Sequence, residues 1–296
     1  QRFIVFLRPL GLRLHGFECV EAACWPQGKA ERRYAGVCHI DAEKVLTDDA
    51  YADHITEYSK EKHVEISALA FYPNTMDGNP EKRTSAVEHL KRVIQASDKL
   101  GIGMVTTFIG RDQTKTVEEN LEIVREVWPP IIRLAEEKKV KIAIENCPML
   151  FGREQWPGGH NLFTSPALWR KMFDMIPSRN FGINYDPSHF VWQMMDYIQP
   201  IYEFRERIFH VHYKDIKVYP QKLKDVGIMA YPLEYMEPKL PGLGDVDWGR
   251  YVSALTDIGY DGFTCVEVED RAFEADRERI LDSLKLSKRY IEQFVI

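Results

Sequence analysis

From residue 17 to the C-terminus, short apolar runs of strand character alternate with longer stretches of helical period. That alternation constrains the fold more than any other feature. Parallel strands need a long crossover, usually a helix, so the pattern predicts a parallel sheet with right-handed crossovers. The strand runs cover residues 17–24, 64–71, 104–109, 140–145, 181–186, 208–213 and 263–268. A first run at 3–6 raises the number to eight, enough to close a barrel. A doubly wound sheet is the competitor, but it carries a glycine-rich phosphate turn after its first strand, and none stands here.

The predicted fold class is therefore α/β, a (β/α)8 barrel formed as a single domain over residues 1–296. Its first βα unit is short or irregular, because 7–16 contains Pro9, Gly11 and Gly16 and leaves no room for a crossover helix. Long loops are expected at 146–164 and 216–247. Helices are expected over 42–62, capped by Asp41 or Thr47, and over 81–100, closed by Gly101. A third over 117–139 should kink or split at Pro129-Pro130. Ser165-Pro166 is a cap followed by Pro at the first helical position. Residues 189–206 read as largely helical, as do 248–258 and 276–294.

Four strand runs end on groups that can hold a cation or move a proton: Glu145, Asp186, His212 and Glu267. Pro148 and Pro187 stop two of those strands, which places the acids at strand ends, where a parallel barrel keeps its chemistry. One polar residue at a strand end is ordinary. Four together give an O3N ligand set, suited to one divalent ion such as Mn²⁺, Mg²⁺, Co²⁺ or Zn²⁺. A cation would also let neighbouring carboxylates stay ionised. Glu145 and Glu267 are then an acid/base pair for a carbon next to a carbonyl, one removing a proton and the other returning it. Trp25, Phe108 and Trp192 stand at or past strand ends, where aromatic faces can stack on a sugar. His39 and His160 are loop histidines of weaker claim.

Ile-Glu-Asn at 144–146, Tyr-Asp-Pro-Ser-His at 185–189, His-Val-His-Tyr-Lys-Asp at 210–215 and Val-Glu-Val-Glu-Asp at 266–270 carry a resemblance. So does Pro-Gly-Leu-Gly-Asp-Val-Asp-Trp at 241–248. Together they resemble the sugar phosphate isomerase/epimerase family of the xylose isomerase-like barrel superfamily, over residues 17–293. The resemblance implies that Glu145, Asp186, His212 and Glu267 bind one metal, most often Mn²⁺, with Glu145 and Glu267 doubling as the catalytic acid and base. It implies that His189 touches substrate oxygens, that Lys214 and Asp215 contact substrate, and that His210 has a structural role. A dimer or tetramer is a further family expectation. The acidic run after Glu267 argues against a phosphorylated substrate.

The function expected is isomerisation or epimerisation of a keto-sugar or polyol through an enediolate. A lyase or deglycosidase acting on a 3-keto-glycoside would use the same site. An apurinic endonuclease needs extra histidines after the third and fourth strands, where this chain has Phe71-Tyr72 and Phe108-Ile109. A net charge of −6 also disfavours a nucleic-acid partner. A non-catalytic sugar-binding barrel is the remaining class. Five cysteines without a CxxC pair, no apolar run of membrane length and no convincing leader in 1–7 suggest a reduced, cytoplasmic protein.

Overall fold

A computed structural model describes residues 3–4, 16–27, 36–150, 153 and 156–294. They fall into two compact units, Phe6–Asn184 and a second made of Gln1–Val5 with Tyr185–Ile296.

Strand β1 (Phe3–Ile4) belongs to the second unit. The first unit carries β2 (Cys19–Ala23), followed by α1 (Ala42–Thr47), α2 (Asp49–Lys62), β3 (Glu65–Ala70) and α3 (Pro80–Lys99). Then come β4 (Met104–Thr107), α4 (Val117–Glu137), β5 (Lys141–Glu145), α5 (Pro166–Met175) and β6 (Phe181–Tyr185), which reaches the unit boundary. Strands β2 to β6 pair in chain order, every pair parallel. All of β6 and all but the first residue of β5 are buried, as expected of strands covered on both faces. In the register Glu145 lies opposite Asn184.

Side-chain caps set the helix starts. Asp41 accepts from the backbone N–H groups of Glu43 and Lys44 and opens α1. The expected single helix over 42–62 breaks at Asp48, whose extended backbone and side-chain bond to the Tyr51 N–H start α2 anew. Thr47 is no cap; its hydroxyl donates to the Glu43 carbonyl. Asn79 caps α3, and Thr116 with Glu119 forms a capping box at α4.

Helix α4 runs unbroken through Pro129 and Pro130, against the expected split. The carbonyls deprived of donors are those of Arg125 and Glu126, both exposed residues, so water can satisfy them. On the opposite face Trp128, Ile131, Ile132 and Ala135 are buried, and the Trp128 indole N–H donates to the Ile109 carbonyl at 3.0 Å. That packing outweighs the local cost of two prolines.

In the second unit, β10 (Thr264–Val268) lies parallel to β7 (Ile208–Tyr213), with Cys265 opposite His212. Strand β1 pairs with β10 antiparallel, so the opening strand is not one of the parallel set. Antiparallel pairing needs no crossover helix, and the sequence at 7–16 offers none. The expectation for 7–15 itself falls outside the described residues. Among the described residues the parallel strands are seven, β2 to β7 and β10.

Two further expectations change. Residues 189–206 hold two short helices, α6 (Ser188–Trp192) and α7 (Gln199–Glu203). They are separated by Met194 at φ 57° and by a turn in which Asp196 accepts from the Ile198 N–H. The presumed loop at 216–247 contains an antiparallel pair, β8 (Asp215–Val218) with β9 (Met236–Lys239), and helix α8 (Pro220–Val226) between them. Helices α9 (Trp248–Asp257) and α10 (Arg277–Ile291) complete the chain. Among the described residues no helix is long and apolar enough to cross a membrane.

Candidate active site

The four strand-end residues expected to hold a cation are buried: Glu145 and Glu267 are 2% exposed, Asp186 and His212 fully enclosed. Carboxylates seldom go so deep without a compensating charge.

The second unit shows what compensates. The Lys214 ammonium, itself fully buried, lies 2.9 Å from Asp186 Oδ2, 3.0 Å from Glu267 Oε2 and 3.3 Å from Glu269 Oε2. His212 Nδ1 is 3.5 Å from the same Glu267 oxygen. His189 Nε2 lies 3.1 Å from Asp186 Oδ2 and 3.0 Å from Lys214 Nζ. Asp186, His189, His212, Lys214 and Glu267 thus lie side by side in the second unit. Burial works against the Asp186 charge, but the Lys214 ammonium and His189 outweigh it and hold this carboxyl below the usual carboxylate range. The Ser188 backbone N–H, donating to Asp186 Oδ1 at 2.8 Å, adds to this.

The surroundings fix these side chains. The Trp192 indole N–H approaches His189 Nδ1 at 3.5 Å, and Gln193 donates to the His189 carbonyl at 2.6 Å. His210 is buried beside Cys265, Nε2 to Sγ 3.6 Å, within the β7–β10 pair.

Asp215 has a different occupation from Lys214. Its Oδ1 accepts from the backbone N–H groups of Ile216 (2.8 Å) and Val246 (3.0 Å). Its Oδ2 accepts from the Gly242 N–H and the Trp248 indole, each at 2.9 Å. Burial raises the Asp215 pKa, and these four donors oppose the rise. Both oxygens are committed to holding the 216–247 segment against α9.

In the first unit, Glu145 closes β5 and the long loop behind it is pinned to its backbone. Asn161, fully buried, donates from Nδ2 to the carbonyls of Glu145 and Cys147, both at 2.8 Å. Its Oδ1 accepts from the Ile109 N–H at 3.1 Å. Phe108 is buried with Cys147 and Met149, its ring 4.7 Å from that of Tyr72. Trp25 is half-buried, its ring 5.0 Å from that of Phe71. Trp192 is buried, and His39 accepts the Ala23 N–H at Nδ1, 3.3 Å away; burial lowers its pKa to about 4.

Three residues escape the sequence reading. Glu269 stands two positions after Glu267, so strand period 2 already placed it on the same face. Glu21, 1% exposed in β2, accepts from the Tyr72 hydroxyl and from Thr106 Oγ1, both at 2.6 Å. A lone acid inside an apolar strand was its signal. Tyr72 in turn accepts from Asn184 Nδ2 at 3.2 Å. Burial first, then the charges of Glu21 and Glu145, push the Tyr72 pKa well up, so its phenol stays protonated.

Comparison with known proteins bears on the family and the fold. A curated relative, inosose dehydratase of Clostridium tetani, is 25% identical over 200 residues, 62% of this chain and 60% of that protein. The chain spans between about half and three fifths of the length of the first curated relatives it matches. Among solved structures, IolI with a bound zinc atom aligns with TM-score 0.69 at 18% identity, over 97% of this chain and 92% of the other. The D-psicose 3-epimerase of Clostridium cellulolyticum H10, solved with D-tagatose, gives TM-score 0.65 at 15% identity, with the same coverage of 97% and 92%. At such identities these structures speak for the fold alone. The family model described as xylose isomerase-like TIM barrel matches residues 12–290, nearly the whole chain. The chain belongs to the xylose isomerase-like TIM barrel family.

Proposed function

We propose that this protein is a divalent-metal-dependent isomerase or epimerase of a keto-sugar or polyol. The observation that carries the reading is the convergence of Asp186 and Glu267, one oxygen of each within 3.0 Å of the same ammonium nitrogen, with His212 alongside. Buried carboxylates aimed at one point beside an imidazole are the donor chemistry that hard and borderline divalent ions require. Glu145, Asp186, His212 and Glu267 would hold the ion. Mn²⁺ is the first choice; IolI binds zinc on this fold, so Zn²⁺ stays among the candidates. When bound, the ion supplies charge that favours an enediolate over the parent ketone.

The proton work falls to the chain. Glu145, as a carboxylate, takes the proton from the carbon next to the carbonyl, and Glu267, as the protonated acid, returns one; exchange with solvent resets both. Lys214, 3.0 Å from Glu267 Oε2, fixes the rotamer of that carboxyl. His189 is oriented by Asp186 and Trp192 to contact substrate hydroxyls. Trp25, Phe108 and Trp192 supply apolar faces. Candidate substrates are 2-ketoses and cyclic polyhydroxy ketones.

A second reading is loss of water from the same enediolate. The similarity to inosose dehydratase favours it, with His189 as the donor to a departing hydroxide. Metal binding tests what the two readings share. Purified protein reloaded with Mn²⁺ and desalted should retain about one equivalent by plasma emission analysis, and Asp186→Asn should bind it about tenfold or more weakly. No retained metal, or unchanged affinity in Asp186→Asn, contradicts the site.

A further inference from the structure

Arg111 is a guanidinium held in place with, among the described residues, one of its side-chain donors spent. It follows β4 in the segment Phe108-Ile109-Gly110-Arg111. Asn74 clamps its backbone from both sides: Oδ1 accepts the Arg111 N–H and Nδ2 donates to the Arg111 carbonyl, both at 2.8 Å. Gly110 makes the clamp possible. Its φ is +90°, and a Cβ there would lie 2.6 Å from Asn74 Oδ1 and 2.7 Å from the Met76 nitrogen.

The side chain is fitted as closely. One terminal N–H donates to the Gly158 carbonyl at 3.1 Å, and a Cβ on Gly158 would come within 2.5 Å of the same nitrogen. Gly158 belongs to the loop that Asn161 pins to the Glu145 carbonyl and to the Ile109 N–H, two residues before Arg111. Arg111 and Glu145 therefore share one loop cluster at the ends of β4 and β5.

A guanidinium has five N–H donors. Here Nε is buried without a partner, and the side-chain bond found among the described residues is the one to the Gly158 carbonyl. Acids are not scarce, at 45 against 39 basic residues. Burial lowers the Arg111 pKa, so the charge is held there at a cost. A loop-holding arginine would spend its fork on carbonyls or a carboxylate. A rigid backbone with an unspent planar fork suits recognition of a planar oxyanion. Lys214 cannot share that task, since three carboxylates already surround it.

We infer that Arg111 reads a carboxylate on the substrate, which makes that substrate a polyhydroxylated acid rather than a neutral sugar. The inference rests on the reading of Glu145 as an active-site residue.

The test is calorimetric titration of metal-free protein with D-gluconate, D-glucitol and D-glucitol 6-phosphate. The first two share a hydroxylated chain and differ in one terminal carboxylate. Wild-type protein should bind gluconate about tenfold or more tightly than glucitol. Arg111→Gln should abolish the preference, and Arg111→Lys, charged but without the fork, should keep only part of it. Equal or undetectable binding of both by wild-type protein overturns the inference, whether or not the variants fold. So does a preference that survives in Arg111→Gln, or tighter binding of the 6-phosphate than of gluconate. Because no metal is present, this outcome is independent of the metal titration that tests the proposed function.

Discussion

Glu145→Gln is expected to lower kcat by about 10²–10⁴-fold at saturating metal, the range lost with a general base. The amide keeps an oxygen for a cation and nearly the same volume, but it cannot accept a proton. KM should change far less than kcat, because substrate contacts are assigned to other residues. The fold should survive. The hydrogen bonds that pin the strand end run to the Glu145 carbonyl, which the substitution leaves in place. Steady-state kinetics beside a thermal melt checks both halves. A variant as active as wild type removes Glu145 from the chemistry. A variant that melts early makes its role structural.

Asp215→Ala is expected to produce the largest loss of stability. It would orphan four donors at once: the backbone N–H groups of Ile216, Gly242 and Val246 and the Trp248 indole. Each buried, unpaired donor costs about 1–3 kcal/mol. Two effects reduce the sum. Water can reach some donors in a relaxed segment, and removing a buried carboxyl recovers part of its desolvation cost. A net loss of about 3–5 kcal/mol follows, or a Tm lower by about 10 °C. Asp215→Asn should fall between, since its one oxygen still accepts. If melting is unchanged and catalysis alone suffers, Asp215 faces substrate and does not hold the segment.

The candidate site residues stand out in the sequence for a physical reason. A polar residue closing an apolar run has few uses, and four such runs in series have fewer. Asp186, His189, His212, Lys214 and Glu267 each lie within ion-pair reach of another of the set in the second unit. Glu269 was equally readable from strand period, but the metal set drew attention to Glu267 alone. The seven parallel strands were legible from alternation, which carries the crossover requirement in its lengths. The direction of β1 was not, because a two-residue strand has no periodicity to read. The β8–β9 pair was hidden for a similar reason: β9 is Met-Glu-Pro-Lys, and its Pro238 argues against a strand when neighbours are unknown. Helix α4 deceived in the other direction. Its two prolines signal a break, yet the carbonyls they strand are those of exposed residues, and the buried face holds the helix together. Exposure of a carbonyl is a tertiary fact that propensity does not contain.

The central claim is that Glu145 removes a proton from the carbon next to a substrate carbonyl. Incubating the metal-loaded protein in D₂O with a panel of ketoses and cyclic polyhydroxy ketones, neutral and carboxylated, tests it most directly. Nuclear magnetic resonance of the recovered sugar is predicted to show deuterium at that carbon for wild-type protein and none for Glu145→Gln. Turnover of any panel member without solvent deuterium, or exchange in Glu145→Gln at the wild-type rate, would contradict it.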